Sequence, residues 1–373
     1  MAKQGKQYKR IVAKFGTNLL TAGTDKIDKN VLSDIVRQVA KLHGESKELV
    51  LVSSGAVASG RQLFRLEIDR LLKERETELD SETLKSLNQA ALYALIEIRN
   101  ELAHNTQNPN SLRVLDELLG KHRKDIPTRQ MAAAMGQHVL MNYYTELFRQ
   151  YNIVTAQALL TKLDLANRVG YLNARNTLLA LLEARVVPII NENDVVATDE
   201  LEGARFGDND NLSGMVSNLV DADLLVIMSD VKGLYSADPA LDAKAKLIKT
   251  VKEIDGDIEK MAGGTRGRGT GGMITKIQAA RLATASGTAV VIASGSEPNL
   301  LPRLVDGESI GTLFLPSTDK LESRKRWILS GLATKGKITV DKGAAAALSK
   351  GHKSLLPAGI KGVDGSFKRW DAV

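Results

Sequence analysis

The stretch from Val186 to Asp194, VVPIINEND, decides the fold of this chain. Its apolar run, VVPII, is typical of a strand buried on both faces of a parallel sheet. The polar residues Asn191 to Asp194 should then lie just beyond the carboxyl end of that strand, where open α/β sheets bind their ligands. The sequence therefore predicts an α/β fold with a polar binding site at one edge of the sheet.

A second polar cluster, Gly207 to Asn211, precedes the helical pattern NLSGMVSNLV. Amides and carboxylates from both clusters, brought to one sheet edge, could hold a small polar molecule by its amino and carboxylate groups. Asp and Asn also cap helices and form turns, and this alternative stays open for either cluster taken alone.

A strand that runs into a glycine turn occurs twice near the start of the chain. RIVAKF, Arg10 to Phe15, leads into Gly16-Thr17-Asn18, and ELVLV leads into Ser53-Ser54-Gly55. Glycine and short polar residues let backbone amides face an anion. Lys14, near the end of the first strand, is a candidate phosphate ligand, although most lysines are simply solvated. Parallel strands need helical crossovers, and VLSDIVRQVAKL has the required helical spacing.

Two later stretches indicate a nucleotide site. A buried strand, Leu224 to Met228, ends in Ser229-Asp230 and a loop with Gly233 and Pro239, which could enclose a base and ribose. GGTRGRGTGGMITK places Thr270-Gly271-Gly272 at a helix start, with Lys276 one or two turns in. Free amides and the helix dipole suit phosphates there, although glycine clusters are often only linkers. The lysine is not placed as a Walker loop requires.

Changes in the predicted pattern of strands and helices divide the chain into segments. We predict an α/β domain over 8–316, a linker over 317–333 and a small β-rich segment over 334–373. An insert at about 66–128 is rich in Glu, Lys, Arg and Leu and predicts amphipathic helices. Within it, RNELAH at 99–104 has the arginine-to-histidine spacing of some helical ribonucleases. We favour surface or subunit-contact helices, and we expect them to pack on a neighbouring subunit.

Composition narrows the class of protein. With 373 residues and no cysteine, the chain has ample material for a core, and disulfides, thiolate metal sites and cysteine nucleophiles are excluded. Its five histidines show no zinc spacing. No apolar run reaches membrane-spanning length and no signal peptide is evident, so we expect a cytoplasmic protein. A net charge of +7 favours anionic partners, either a nucleotide or RNA.

The motifs together resemble the glutamate 5-kinases of the amino-acid kinase family. The resemblance rests on VAKFGTNLLT, LVSSGAVASGR, YLNARNTL, VPIINENDVVAT, FGDNDNLS, SDVKGLYSADP, GTGGMITK and LESRKRWI. It implies a three-layer αβα sandwich around a mainly parallel open sheet. The tail, KGKITVDKGAAAALSKGHKSLLPAGIKGV, resembles the front part of a PUA domain, which family members continue for several more strands.

The resemblance implies ATP-dependent phosphorylation of the glutamate side-chain carboxylate to γ-glutamyl phosphate, the first step of proline synthesis, with Mg²⁺ as cofactor. Lys14 and Lys276 would stabilise the transferring phosphoryl group, and Asp210 would position the two lysines. No metal ligand is predicted. The residues carried over for glutamate are Ser54, Asp194 and Asn209, and those for ATP are Lys14, Gly16, Ser229, Asp230, Thr270, Gly271, Gly272, Met273, Ile274, Thr275 and Lys276.

The resemblance also implies proline as a feedback inhibitor, a homo-oligomer (dimer or tetramer), and glutamate-5-semialdehyde dehydrogenase as a pathway partner. Three alternatives remain. A sister kinase would act on aspartate, acetylglutamate or carbamate. An RNA-binding regulator would use the basic charge and the tail, but the tail offers few aromatic residues for base stacking, so RNA is disfavoured. An inactive chain would serve as a partner-binding platform through its inserted helices.

Overall fold

The computed structural model describes residues 8–24, 26–63, 126–196, 209–239, 241–242, 244–263, 272–317, 336–349 and 355–366. By its contacts the chain divides into two compact units, residues 1–320 and 321–373. The predicted insert lies outside the described residues except for its last three positions, 126–128, which begin a helix. The predicted segments 8–316, 317–333 and 334–373 stay predictions.

Strands and helices alternate through the first unit, as the sequence predicts. Its described strands are β1 (Arg10–Phe15), β2 (Glu48–Ser53), β3 (Thr155–Leu160), β4 (Val187–Glu192), β5 (Leu224–Ser229), β6 (Thr250–Val251), β7 (Ala289–Ser294) and β8 (Thr312–Phe314). Its described helices are α1 (Thr17–Leu20), α2 (Lys29–Gly44), α3 (56–63), α4 (Ile126–Arg149), α5 (Lys162–Ala166), α6 (Arg168–Glu183), α7 (Asn209–Leu219), α8 (Gly256–Gly263), α9 (Met273–Ala285) and α10 (Leu300–Val305). None of the helices in the described ranges is long and apolar enough to cross a membrane.

The eight described strands form one sheet in the order β3-β4-β2-β1-β5-β7-β8-β6. Neighbours from β3 to β7 pair in parallel, whereas β8 runs antiparallel to β7 and parallel to β6. Because consecutive residues of a strand face opposite sides, Ile11, Ala13 and Phe15 face one helical layer and Lys14 faces the other. The mainly parallel sheet of the prediction is confirmed.

Helices cover both faces of the sheet. On one face, apolar side chains of α2, α4 and α10 pack into one core with alternate residues of the strands. On the other face, α7 contacts β1, β2 and β5 and packs against α9. Asp28 caps α2 by accepting hydrogen bonds from the amides of Asn30 and Val31, which is the usual way an aspartate starts a helix. The predicted three-layer αβα arrangement is confirmed.

The second unit contains a small β structure. Strands β9 (Gly336–Val340) and β10 (Ile360–Gly365) pair antiparallel, and helix α11 (Lys342–Ser349) and a 3-10 turn (Pro357–Gly359) lie between them. Asp341 accepts a hydrogen bond from the amide of Ala344 and so caps α11. The β-rich character predicted for this segment is confirmed in its described residues.

Candidate active site

Four neighbouring strands deliver polar side chains to one edge of the sheet. Since β4, β2, β1 and β5 lie side by side in parallel, their carboxyl ends come together. The side chains delivered there are Asn191 of β4, Ser54 directly after β2, Lys14 near the end of β1 and Ser229 at the end of β5. This edge is where open parallel sheets bind ligands.

The sequence analysis predicts that Asn191 and Glu192 lie beyond the end of their strand. This prediction is wrong. β4 continues through both residues, because they pair with Leu159 and Leu160 of β3. Asn191 is therefore a buried strand residue with a fixed side chain, 2% exposed.

Two buried lysines converge on one buried aspartate. Asp210 lies in the first turn of α7 and is 1% exposed, and Lys14 and Lys276 are each 6% exposed. Lys14 Nζ lies 2.5 Å from Asp210 Oδ1, and Lys276 Nζ lies 3.2 Å from Asp210 Oδ2. Within this buried cluster, two lysines face one carboxylate, so the cluster itself carries a net positive charge. Such a site suits a bound anion.

The pKa of Asp210 lies below the ordinary range of an aspartate. Burial alone would raise it, but attraction from Lys14 and Lys276 and hydrogen bonds from Lys14 and Thr275 outweigh that effect. Thr275 Oγ1 donates to Asp210 Oδ2 over 2.8 Å. The aspartate is therefore charged at neutral pH and holds both ammonium groups in place.

Helix α7, which carries Asp210, is anchored at its carboxyl end by two arginines. Arg10 donates to the carbonyl of Val220, and Arg175 donates to the carbonyl of Leu219 over 2.5 Å. Arginines at this end satisfy carbonyls that have no partner within the helix and complement its dipole. The amino end of α7, with Asn209 and Asp210, then points at the strand edge.

α7 and α9 approach so closely that only glycine fits at their contact. A Cβ atom added to Gly214 of α7 would lie 2.8 Å from the carbonyl oxygen of Ala279 in α9. This short separation lets Lys276 of α9 reach Asp210 of α7. Sequence inspection gives Gly214 no role, because a single glycine in a helical pattern does not reveal its neighbour.

An amide network continues from the lysine cluster toward α4. Asn209 Nδ2 donates to Ser54 Oγ over 2.9 Å and to Asn191 Oδ1 over 3.2 Å. Asn191 Nδ2 donates to Gln137 Oε1 over 2.8 Å. Nearby, the hydroxyl of Tyr144 lies 2.9 Å from that of Ser53, which itself donates to the carbonyl of Ser54. Sequence reasoning missed Gln137 and Tyr144, although polar residues spaced seven apart on the apolar face of a helix could have revealed them.

The cleft beside the lysines has a volume of about 420 Å³. Two helices begin at it, α1 after Gly16 and α9 after Gly272, and a glycine offers no side chain to cap the amides of the first turn. Those amides can therefore bind an anion. The cleft is lined by Lys14, Gly16, Thr17, Asn18, Leu19, Ser54, Asn209, Asp210, Met228, Ser229, Asp230, Val231, Gly233, Leu234, Tyr235, Ala237, Asp238, Pro239, Met261, Gly272, Met273 and Lys276.

Asp230 lies on the β5 side of this cleft. Its burial raises the pKa, but hydrogen bonds from Ser229, from its own backbone and from Asn18, and attraction from Lys276, bring the pKa below the ordinary value. Ser229 Oγ donates to Asp230 Oδ1 over 2.9 Å. The carboxylate is thus held in its charged form at the rim of the cleft.

Asp194 lies apart from the other residues predicted to bind substrate. It lines a second cavity of about 290 Å³ with Glu192, Gln137 and His138, whereas Ser54 and Asn209 line the larger cleft.

Among the residues predicted to bind ATP, Thr275 contacts Asp210 rather than lining the cleft, and Ile274 is 46% exposed. Thr270 and Gly271 lie outside the described residues.

The mainly parallel open sheet, with helices on both faces and polar side chains at its strand ends, places the chain in the class of α/β proteins. The sequence profile described as the amino acid kinase family matches residues 9–294, and that of the PUA domain matches residues 336–373. The chain belongs to the amino acid kinase family.

Curated relatives match the chain over nearly its full length. A glutamate 5-kinase of Dehalococcoides mccartyi strain 195 is 46% identical over 99% of this chain and 85% of its own length. One of Herpetosiphon aurantiacus is 45% identical over 98% of this chain and 84% of its own length. The solved structure of a UMP kinase from Bacillus anthracis covers 84% of this chain and 98% of its own, with a TM-score of 0.49 at 14% identity.

Proposed function

We propose that this protein transfers the γ-phosphoryl group of ATP to the side-chain carboxylate of glutamate, giving γ-glutamyl phosphate and ADP. The observation that carries the proposal is the buried cluster in which Asp210 bridges Lys14 and Lys276 at the strand ends. The relatives named glutamate 5-kinase support the same reaction. The product is the first intermediate of proline synthesis, as the relatives' name implies.

The reaction needs charge neutralisation more than it needs a base. The glutamate side chain has a reference pKa of about 4.3, so its carboxylate is already a nucleophile at neutral pH. A carboxylate oxygen forms a bond to the γ-phosphorus, the bond to the β–γ bridging oxygen breaks, and ADP leaves with that electron pair. The obstacle is to align two anions and stabilise the charge on the γ-phosphoryl oxygens.

Lys14 and Lys276 are suited to that task. Both ammonium groups are buried and fixed by Asp210 before any ligand binds, so little reorganisation is needed during the reaction. Removing one such donor from an enzyme costs about 3 to 4 kcal/mol of transition-state stabilisation. We assign the catalytic role to both lysines and the positioning role to Asp210.

For ATP, we propose binding in the larger cleft. Gly16 and the segment Gly272 to Lys276 would contact the phosphates through helix-start amides, and Ser229 and Asp230 would lie near the nucleoside. Thr270 and Gly271, which precede this segment, are proposed to bind ATP because of the family resemblance alone. Mg²⁺ would enter with the nucleotide, because it keeps several waters and binds mainly through phosphates in kinases.

For glutamate, we propose Ser54, Asn209 and Asp194. Asn209 Oδ1 is buried and accepts no hydrogen bond from any described residue, so it can receive a donor from a ligand. The second cavity, with Glu192 and Asp194, is acidic and suits an ammonium group. On this proposal the substrate's amino group lies toward the amides and carboxylates, and its side-chain carboxylate lies toward the lysines.

The family resemblance supports the remaining proposals. We infer a cytoplasmic homo-oligomer, dimer or tetramer, that is inhibited by proline and supplies its product to glutamate-5-semialdehyde dehydrogenase. An acyl phosphate hydrolyses readily, so the next reaction must consume it promptly. RNA and membranes are not expected as partners.

The deciding experiment measures ADP release from MgATP with glutamate, aspartate, acetylglutamate, carbamate or no acceptor. Added hydroxylamine traps an acyl phosphate as a hydroxamate. We expect ADP release and hydroxamate with glutamate alone. Turnover with another acceptor would favour a sister kinase. No turnover with any acceptor would contradict the proposal and would favour the regulatory alternative, which salt-sensitive RNA retention would then test.

A further inference from the structure

Gln137 is a buried polar residue that lines the second cavity with Asp194 and is linked to the larger cleft only through other side chains. It lies on α4, is 9% exposed, and accepts a hydrogen bond from Asn191 Nδ2 over 2.8 Å. Tyr144 lies seven residues along the same helix, so both face the ends of β2 and β4. A buried amide needs a partner for its oxygen and nitrogen, so this pairing fixes how both amides are turned.

The hydrogen bond from Asn191 to Gln137 sets the orientation of the Asn191 side-chain amide. Because the Asn191 nitrogen donates to Gln137, its oxygen must point the other way, toward Asn209. There Asn191 Oδ1 accepts from Asn209 Nδ2 over 3.2 Å and from the backbone amide of Glu192 over 2.9 Å.

Hydrogen bonds to Ser54 and Asn191 likewise set the orientation of the Asn209 side-chain amide. Its nitrogen has two hydrogens, and these are used by Ser54 Oγ and Asn191 Oδ1. Its oxygen, Oδ1, is buried and has no hydrogen-bond partner in the described ranges. Asn209, which lines the cleft, therefore has an unused hydrogen-bond acceptor and no unused donor.

We propose that Gln137 is a positioning residue that fixes Asn209 as an acceptor and so makes the site specific for substrates with a hydrogen-bond donor, such as an ammonium group. This inference rests on the proposed function. An apolar residue at 137 would remove the partner of Asn191 Nδ2 and leave only the hydrogen bond from the Glu192 backbone amide to fix the Asn191 side chain, so its two amide orientations would differ less in energy. A turned Asn191 would present hydrogens to Asn209 and force it to turn as well.

The test substitutes Gln137 by methionine, which has a similar length and no strong acceptor. We expect Gln137→Met to raise the KM for glutamate about tenfold, with kcat and the KM for ATP within about twofold of the wild type. Gln150→Met is the matched control, because Gln150 is an exposed residue just beyond α4. The control should leave all three constants unchanged.

Gln137→Glu is the conservative variant. Its carboxyl oxygen accepts from Asn191 whether the group is ionised or protonated, so the KM for glutamate should return to within about threefold of the wild type. An unchanged KM in Gln137→Met, or an equal rise in Gln137→Met and Gln137→Glu, would overturn the proposal.

A second measurement needs no activity. In protein labelled with ¹⁵N-asparagine, the side-chain amide hydrogens of Asn191 and Asn209 should exchange slowly with solvent in the wild type and in Gln137→Glu. They should exchange at least tenfold faster in Gln137→Met. A wild-type protein without glutamate-dependent turnover would contradict the proposed function alone, and equal exchange in all three proteins would contradict the role of Gln137.

Discussion

Asp210→Asn tests the lysine cluster most directly. Asparagine keeps the size of the side chain but removes its charge, so the substitution leaves no cavity. Lys14 and Lys276, which lie 2.5 and 3.2 Å from the two carboxylate oxygens, would then be two buried like charges without an anion between them. We expect the variant to be less stable and much less active than the wild type.

The magnitude follows from the two distances. At an effective dielectric constant of about 20, unit charges at these separations attract by roughly 5 to 7 kcal/mol per pair. The cost of removing three charges from water opposes most of that attraction. Breaking a buried pair by removing one partner typically lowers the free energy of unfolding by about 3 to 5 kcal/mol, and we expect a loss in that range.

The assay is urea unfolding followed by circular dichroism, with kcat measured on the same preparations. Asp257→Asn is the matched control, because Asp257 also pairs with a lysine, Lys260, over 3.1 Å, but both side chains are at least 75% exposed. Exposed pairs contribute about 0 to 1 kcal/mol, so the control should unfold almost like the wild type. For Asp210→Asn we expect kcat to fall by about 10²- to 10³-fold.

One result would refute this reasoning. If Asp210→Asn lost less than about 1 kcal/mol of stability, the lysines would not depend on the aspartate for charge compensation. If its kcat also matched that of Asp257→Asn, Asp210 would have no positioning role.

Further predictions concern the same cluster. Lys14→Ala and Lys276→Ala should each lower kcat by about 10²-fold or more while raising the KM for glutamate far less, and an unchanged kcat would contradict the assignment. Gly214→Ala should push α9 from α7, because the new Cβ would lie 2.8 Å from Ala279 O; we expect a loss of about 1 to 3 kcal/mol in urea unfolding, and full stability would show that the helices can separate freely. Because the folded pKa of Asp210 is depressed, its stabilising contribution should be complete above its unfolded pKa of about 3.9 and disappear as the pH falls through the lower folded pKa. Unfolding measured between pH 6 and pH 2 should show a larger loss of stability in the wild type than in Asp210→Asn, which keeps Asp230 and Glu48 with their depressed pKa values.

Local sequence patterns were sufficient to predict most of the strands and the glycine turns that precede α1 and α9. RIVAKF followed by glycine gives β1 and the start of α1, and GGMITK gives the glycine cap of α9. Each depends on a few adjacent residues, such as apolar side chains for a buried strand and a glycine where amides must stay free. Lys14 and Lys276 follow from these patterns because each lies next to such a turn.

Long-range contacts account for what the sequence did not predict. β4 extends through Asn191 and Glu192 because β3 supplies hydrogen-bond partners there, and no property of NEND itself reveals that pairing. Gln137 comes from a helix more than fifty residues before Asn191, so its role depends on where α4 packs. The separation of Asp194 from Ser54 and Asn209 into different cavities likewise depends on packing.

The strand order β4-β2-β1-β5 also has a consequence for how the protein folds. The four strands whose ends meet at the site come from residues 10–15, 48–53, 187–192 and 224–229, so the chain must close loops of well over a hundred residues to bring them together. Contacts this distant in sequence form slowly during folding. A growing chain on the ribosome therefore cannot hold the cluster of Lys14, Asp210 and Lys276 until α9 has emerged, and catalysis is among the last properties that the folding chain acquires.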